Sequence, residues 1–442
     1  MEKIKFTVRR NNMKYIRLAF LSLLGIILAF PNLFGAPVKI NLWHAYRGDE
    51  KKAIEQVIST FNLTTFDIQV SLLPVPFDAM NDKIRTMVPL GKGPDLFIFA
   101  QDFTGEWANN NIILPIDDMI TPDIVKQFPK YLMMAYVYGD NDNLWALPMS
   151  FKNLILFYNK NYISKVPQTW SELIDLAKKF TDPKSGPYGR RGFAYDMGNF
   201  YYHTMWIQGF GGKIFEKRKG REYFPLLDSE PIYKSIKYVL TLRRMINPSG
   251  DPKGEVGADG ATVTELFNSG NALFVVNGQW FRAEISPKVN YGVAPFPIID
   301  DLPGVKGSGR RAIPFLTVEG IFMSSNTKNK QAAFKVMQFI TSPQAGRILA
   351  KIGKQTPANV GAYTYSEVKN DPISQIFIEA AKEAIPMPNV PEMALTWSPA
   401  TSALVESLSL NLDDPEFNKK LTSIWKKRQK ELLDLIEKSL RK

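Results

Sequence analysis

His44, Arg47, Asp49 and Glu50 fall within seven residues of one another in "LWHAYRGDEKKAIEQVISTFN" (42–62). An imidazole, a guanidinium and two carboxylates this close together are the groups of acid–base catalysis or of polar recognition. His44 is one of only two histidines, the other being His203, and the chain has no cysteine. That removes thiol nucleophiles, Cys-ligated zinc, iron–sulfur clusters and disulfides. H-E-x-x-H, G-x-S-x-G and the P-loop pattern do not occur in the sequence. Asp102, Glu106, Asp117 and Asp118 are carboxylates in one region, but spacing alone does not pair them for glycoside hydrolysis. No catalytic residue, metal ligand or cofactor is assigned, and a binding role is favoured over an enzyme.

The elements around this stretch say how its groups are held. "VKINLWHA" reads as a strand ending at Trp43–His44. "GDEKKAIEQVISTFN" reads as a helix with an apolar stripe of Ala53, Ile54, Val57, Ile58 and Phe61. Asp49 and Glu50 suit its first turn, where free N–H groups and the helix dipole favour anions. A strand in "FDIQVSLLPV", a helix in "AMNDKIRTMVPLG" and a strand in "PDLFIFA" follow. This alternation is the signature of parallel strands joined by crossover helices. It continues through the helix "TWSELIDLAKKF", with Thr169 and Glu172 spaced as a capping box, and through strands in "LWALPMSFKNLILFYN", "ALFVVNGQW" and "NYGVAPFP". "IYKSIKYVLTLRRMI", "KNKQAAFKVMQFITS", "SQIFIEAAKEAI" and "PEFNKKLTSIWKKRQKELLDLIEKSL" read as helices.

Residues 1–35 read as a secretory signal peptide. Arg9, Arg10, Lys14 and Arg17 precede the 13-residue apolar run Leu18–Phe30, and small residues Gly35 and Ala36 follow. A membrane span needs about 18 or more apolar residues. Without a cysteine the chain cannot be a lipoprotein, so a soluble protein of the periplasm is expected. Six Lys/Arg and one Glu lie in that segment, which leaves the remainder near +7 of the total +12. The basic residues are spread out, apart from "KKRQK" near the C-terminus. They read as solvated helix faces rather than as a nucleic-acid surface.

Aromatic residues gather at the expected strand ends and in polar loops: Trp43, Phe99, Tyr201, Tyr202, Trp206, Trp280 and Trp397. Rings in a cleft can stack on the C–H faces of sugars while polar side chains meet the hydroxyls, and in open parallel sheets ligands bind at the carboxyl ends of strands. At "GPDLFIFAQD", "LPMSFKNLILFYNKNYISKVPQTWSEL", "FNSGNALFVVNGQW", "VNYGVAPFP" and "MPNVPEMALTW" the chain resembles the periplasmic maltose/maltodextrin-binding proteins, extracellular solute-binding proteins of sugar ABC transporters. The resemblance runs from about residue 38 to the C-terminus. It implies an α/β fold of two lobes (the type II periplasmic binding protein), each a mainly parallel sheet flanked by helices, with the ligand cleft between them. The first lobe would hold 36–150 and 317–366, the second 151–316 and 367–442.

The resemblance also implies site residues. Phe99 takes the place of a stacking tryptophan, and Asp102 keeps the acid that binds sugar hydroxyls. Phe103 replaces an arginine, Lys152 and Arg47 replace acids, and Asn199 with Tyr201 replaces a Glu-x-Tyr pair. Trp280, Met387 and Trp397 are kept. Trp43, His44 and Tyr46 complete the ligand-binding set, with His44 as a neutral hydrogen-bonding group. Substitution of His44 or Arg47 by alanine is expected to weaken binding and leave folding intact. The implied function is capture of a glucose-based oligosaccharide by a monomer, followed by delivery to inner-membrane permease subunits. The changed polar partners leave trehalose, sucrose, a polyol or an anionic sugar open, and a secreted carbohydrate-active enzyme is the remaining alternative.

Overall fold

The computed structural model describes residues 36–218 and 221–440. The expected signal segment, 1–35, lies outside the described residues. The chain opens as read: strand Val38–His44, helix Gly48–Thr64, strand Ile68–Pro74, helix Phe77–Met87, strand Leu96–Ala100. The first strand pairs in parallel with the second, Val38 beside Ile68 through His44 beside Pro74, and with the third at Leu42–Leu96. All five predicted apolar positions of the first helix are buried. The third strand is buried along its whole length, as its unbroken apolar run requires.

Across its width the larger sheet runs Thr356–Pro357, Ala146–Lys152, Phe315–Met323, Leu96–Ala100, Val38–His44, Ile68–Pro74, with Ile385–Pro386 joined to Phe315–Met323. Phe315–Met323 is antiparallel to both of its long neighbours. A second sheet of four strands runs Tyr291–Ala294, Ile155–Asn159, Ala272–Asn277, Arg191–Ala194, and only its last pair is parallel. The expectation of mainly parallel sheets is therefore corrected: both are mixed. Ala146–Lys152 and Ile155–Asn159 belong to different sheets and are separated by two residues, so the chain crosses from one sheet to the other at Asn153–Leu154.

Alternating residues of the second sheet feed two cores. Leu156 and Phe274 pack with Trp170, Phe193 and Trp206 on one face, while Ile155, Phe157 and Val275 pack with Phe267, Phe281 and Phe377 on the other. Both faces are covered, which is why Ala272–Asn277 is buried throughout. Thr169 caps its helix by accepting from Glu172 N at 3.3 Å, as the spacing predicts, while the Glu172 carboxylate reaches back one residue past the cap and accepts from Gln168 N at 2.7 Å. The core of the larger sheet continues through Met393, Leu404 and Phe200 to Trp425 on the C-terminal helix Phe417–Leu440. No helix among the described residues is long and apolar enough to cross a membrane.

Candidate functional site

The site gathers where the chain crosses between sheets. Lys152 ends its strand opposite Thr317, and Ser150 lies opposite Glu319. The Lys152 ammonium sits 3.0 Å from Glu319 Oε2 and 3.4 Å from Glu50 Oε1, with none of the three side chains more than 10% exposed. Glu319 also accepts from Tyr46 Oη at 2.8 Å and Ser150 Oγ at 3.4 Å, and Glu50 accepts from Gln355 Nε2 at 3.2 Å. Burial alone would lower the Lys152 pKa, but Glu319 and then Glu50 more than reverse this and hold it charged. Burial raises the Glu50 pKa against the pull of Lys152. A buried charge is tolerable only with partners of this kind. Glu50 stands in the first turn of its helix, as read, but turns its carboxylate into this buried cluster, whereas Asp49 stays on the surface and pairs with Lys52 at 2.7 Å.

Thr317 and Glu319 share one face of their strand, and that face meets the aromatic set. Tyr201 Oη lies 3.0 Å from Thr317 Oγ1. The Tyr201 ring is 6.3 Å from Trp280 and 6.3 Å from Trp397, tilted against both. Lys152 Nζ approaches the rings of Tyr46 at 5.6 Å and Trp280 at 5.9 Å. Trp397 Nε1 donates to Asp102 Oδ2 at 2.8 Å. Burial pushes the Asp102 carboxyl up to about 7, with the Trp397 bond opposing and Glu106 adding to the rise. Gly278 explains the "NGQW" turn: a Cβ there would lie 2.1 Å from Trp280 Cζ3, so the indole can fold over this backbone only if residue 278 is glycine.

The other expected site residues stand behind or beside this group. Trp43 and His44 are buried in the core. His44 Nδ1 accepts from Tyr46 N at 3.2 Å, and burial lowers the imidazole pKa to about 4, so it is neutral near pH 7. Phe99 is 2% exposed and stacks on Phe77 at 4.7 Å, with Phe103 and Trp107 against it. Phe103 stacks on Trp107 with ring centroids 5.4 Å apart. Met387 is buried, and its carbonyl accepts from Gln101 Nε2 at 3.2 Å. Asn199 caps helix Phe200–Gly209 by accepting from Tyr201 N at 3.0 Å, and so places Tyr201.

Arg47 pairs with Glu284 at 2.6 Å. Glu284 ends a short segment, Gln279–Glu284, that follows a strand of the second sheet and is tied at several points to segments outside that sheet. Gln279 exchanges bonds with Asn153 at the crossover, at 3.0 and 3.3 Å. Arg282 binds Lys354 O at 3.4 Å, Ser374 at 2.9 Å and Asp371 at 2.7 Å. Gly48, with φ +52°, brings the loop so near that a Cβ would sit 3.0 Å from Ala283 O.

Sequence reasoning missed Glu319, Glu284, Gln101, Gln279 and Arg282. Glu319 left a signal: a lone acid inside the apolar run "FLTVEGIFM". The others carry no local signal, because their partners are remote in sequence.

The family pattern of the bacterial extracellular solute-binding proteins matches residues 46–347. The chain belongs to this family. The chain is similar to a maltotriose-binding protein of Pyrococcus abyssi, 29% identical over 398 residues, which are 89% of this chain and 82% of that protein. It is also similar to a galactooligosaccharide-binding protein of Bacillus subtilis, 23% identical over 83% of this chain and 84% of that one. Among solved structures, the maltose/maltodextrin-binding domain of Bdellovibrio bacteriovorus bound to maltotriose superposes with a TM-score of 0.77 at 22% identity, covering 90% of this chain and all 100% of that one. A Thermus thermophilus maltotriose-binding protein gives 0.76 at 24% identity, covering 89% and 100%. The fold is thus the two-lobed solute-binding fold, and in this solute-binding protein the Tyr46, Lys152, Tyr201, Trp280 and Trp397 group lies at the junction of its two sheets.

Proposed function

We propose that this solute-binding protein captures a neutral oligosaccharide of the maltodextrin type between its lobes and presents it, unaltered, to a membrane permease. The observation that carries the reading is the Trp280–Tyr201–Trp397 trio, ringed by Asp102, Thr317, Glu319 and Lys152. Indole and phenol faces offer apolar area to sugar C–H groups, while fixed carboxylates and hydroxyls meet the sugar hydroxyls. A buried hydroxyl left unpaired costs about 1–3 kcal/mol, so this polar ring sets which sugar fits. The Pyrococcus relative, a maltotriose-binding protein by name, supports the sugar class. The lobes are taken as 36–150 with 317–366 and 151–316 with 367–442, and the working location as the periplasm, where the protein acts as a monomer.

The anionic-sugar alternative loses its motivation. It rested on Lys152 and Arg47, and both cations are held by carboxylates of the protein itself. A thermal-melt panel of maltose, maltotriose, trehalose, sucrose and sorbitol tests the reading. Maltotriose should raise the melting temperature most, by ligand linkage. No shift with any maltodextrin, or release of glucose during incubation, contradicts it.

A further inference from the structure

We propose that Glu319 is a specificity-determining residue: with Glu50 it gives the cleft floor a net negative charge, which makes the site select uncharged sugars over anionic ones. This rests on the sugar-binding reading above. Two carboxylates face one ammonium, so the buried triad carries a formal charge of −1. The other cation expected at the site does not offset it. Arg47 is tied to Glu284, and the next acid in the site, Asp102, adds negative charge when ionised.

Glu319 occupies the middle of a strand whose nine residues are all buried. An apolar side chain there would avoid the desolvation cost of a carboxylate. The acid instead accepts from Lys152, Tyr46 and Ser150 at once, and its strand neighbour Thr317 meets Tyr201. The carboxylate is therefore held in place beside the aromatic group, all three donors converging on Oε2. A sugar hydroxyl can donate toward such a floor. A ligand carboxylate cannot donate, and it meets a like charge where little water screens it.

The test compares maltotriose with its tri-uronate, in which every primary hydroxyl is oxidised to a carboxylate, by titration calorimetry at low and high salt. The wild-type protein should prefer maltotriose by at least tenfold, and salt should narrow the preference. Glu319→Gln, which keeps size and shape, should cut the preference about tenfold, and Glu50→Gln should act in the same direction, providing a second variant if the first does not fold. A purely structural role for Glu319 would weaken both sugars equally and leave the ratio unchanged, which overturns the proposal. Equal affinity of the wild type for both sugars overturns it as well and leaves the sugar-binding reading standing. Binding of neither removes that reading and the proposal with it.

Discussion

Trp397 Nε1 and Asp102 Oδ2 are 2.8 Å apart, although 295 residues separate them in the chain. The bond joins a platform indole to the acid expected to bind sugar hydroxyls. It also fixes a carboxylate whose pKa burial raises from 3.8 to about 7. The folded state therefore holds this proton between about pH 4 and 7, where the unfolded chain has released it. The resulting stability is complete below about pH 4 and is lost as pH rises through about 7. Asp102→Asn keeps the acceptor for Trp397 but cannot ionise. Relative to wild type it should gain stability at pH 8, by at most about 4 kcal/mol, and gain none at pH 4. Urea melts of both proteins at the two pH values check this.

Lys152 supports two buried carboxylates at once. Lys152→Ala should destabilise by about 3–5 kcal/mol, because it leaves them uncompensated. The triple change Lys152→Met, Glu50→Gln, Glu319→Gln removes all three charges and should recover most of that loss. Denaturant midpoints across the series provide the measurement.

The Arg47–Glu284 pair is different, because the arginine side chain is 62% exposed. Its worth to folding is about 0–1 kcal/mol. It bridges loops attached to different sheets, so its effect belongs to opening and closing of the cleft. Arg47→Ala should leave the melting temperature nearly unchanged and speed ligand release several-fold. Glu284→Gln should do the same, and the double variant should add little. Stopped-flow release rates, with high salt reproducing the single variants, test this. His44→Ala was expected to resemble Arg47→Ala, but burial of the ring makes it a core substitution. It should cost about 1–3 kcal/mol of stability.

His203 is fully buried, donates or accepts at Ser235 Oγ over 2.9 Å, and has its pKa lowered to about 3 by burial. The unfolded chain takes up this proton near the ordinary value of 6.5, so the contribution is present above that pH and is lost as pH falls toward 3. His203→Gln removes the titration. Its destabilisation relative to wild type should shrink between pH 7.5 and pH 4.5 in matched thermal melts.

The strand–helix–strand opening was legible because its apolar residues keep strict periods, 3.6 in Gly48–Thr64 and an unbroken run in Leu96–Ala100. The aromatic members of the site were legible by residue type and by resemblance. The cations were not interpretable alone: Lys152 and Arg47 look like free charges until Glu319 and Glu284 are placed beside them from 167 and 237 residues away. Phe99 reads as a platform at a strand end, yet Phe77, half exposed, covers it. Strand direction was misjudged because local periodicity does not report how a chain returns from a second sheet.

The central claim is capture of an uncharged maltodextrin without chemistry, and the most direct test is titration calorimetry of residues 36–442 with maltotriose, followed by chromatography of the recovered sugar. Saturable binding at one sugar per chain is expected, abolished or much weakened by Trp280→Ala together with Trp397→Ala, with the sugar recovered intact. Absence of binding heat at millimolar maltotriose, or recovery of shorter sugars, would contradict it.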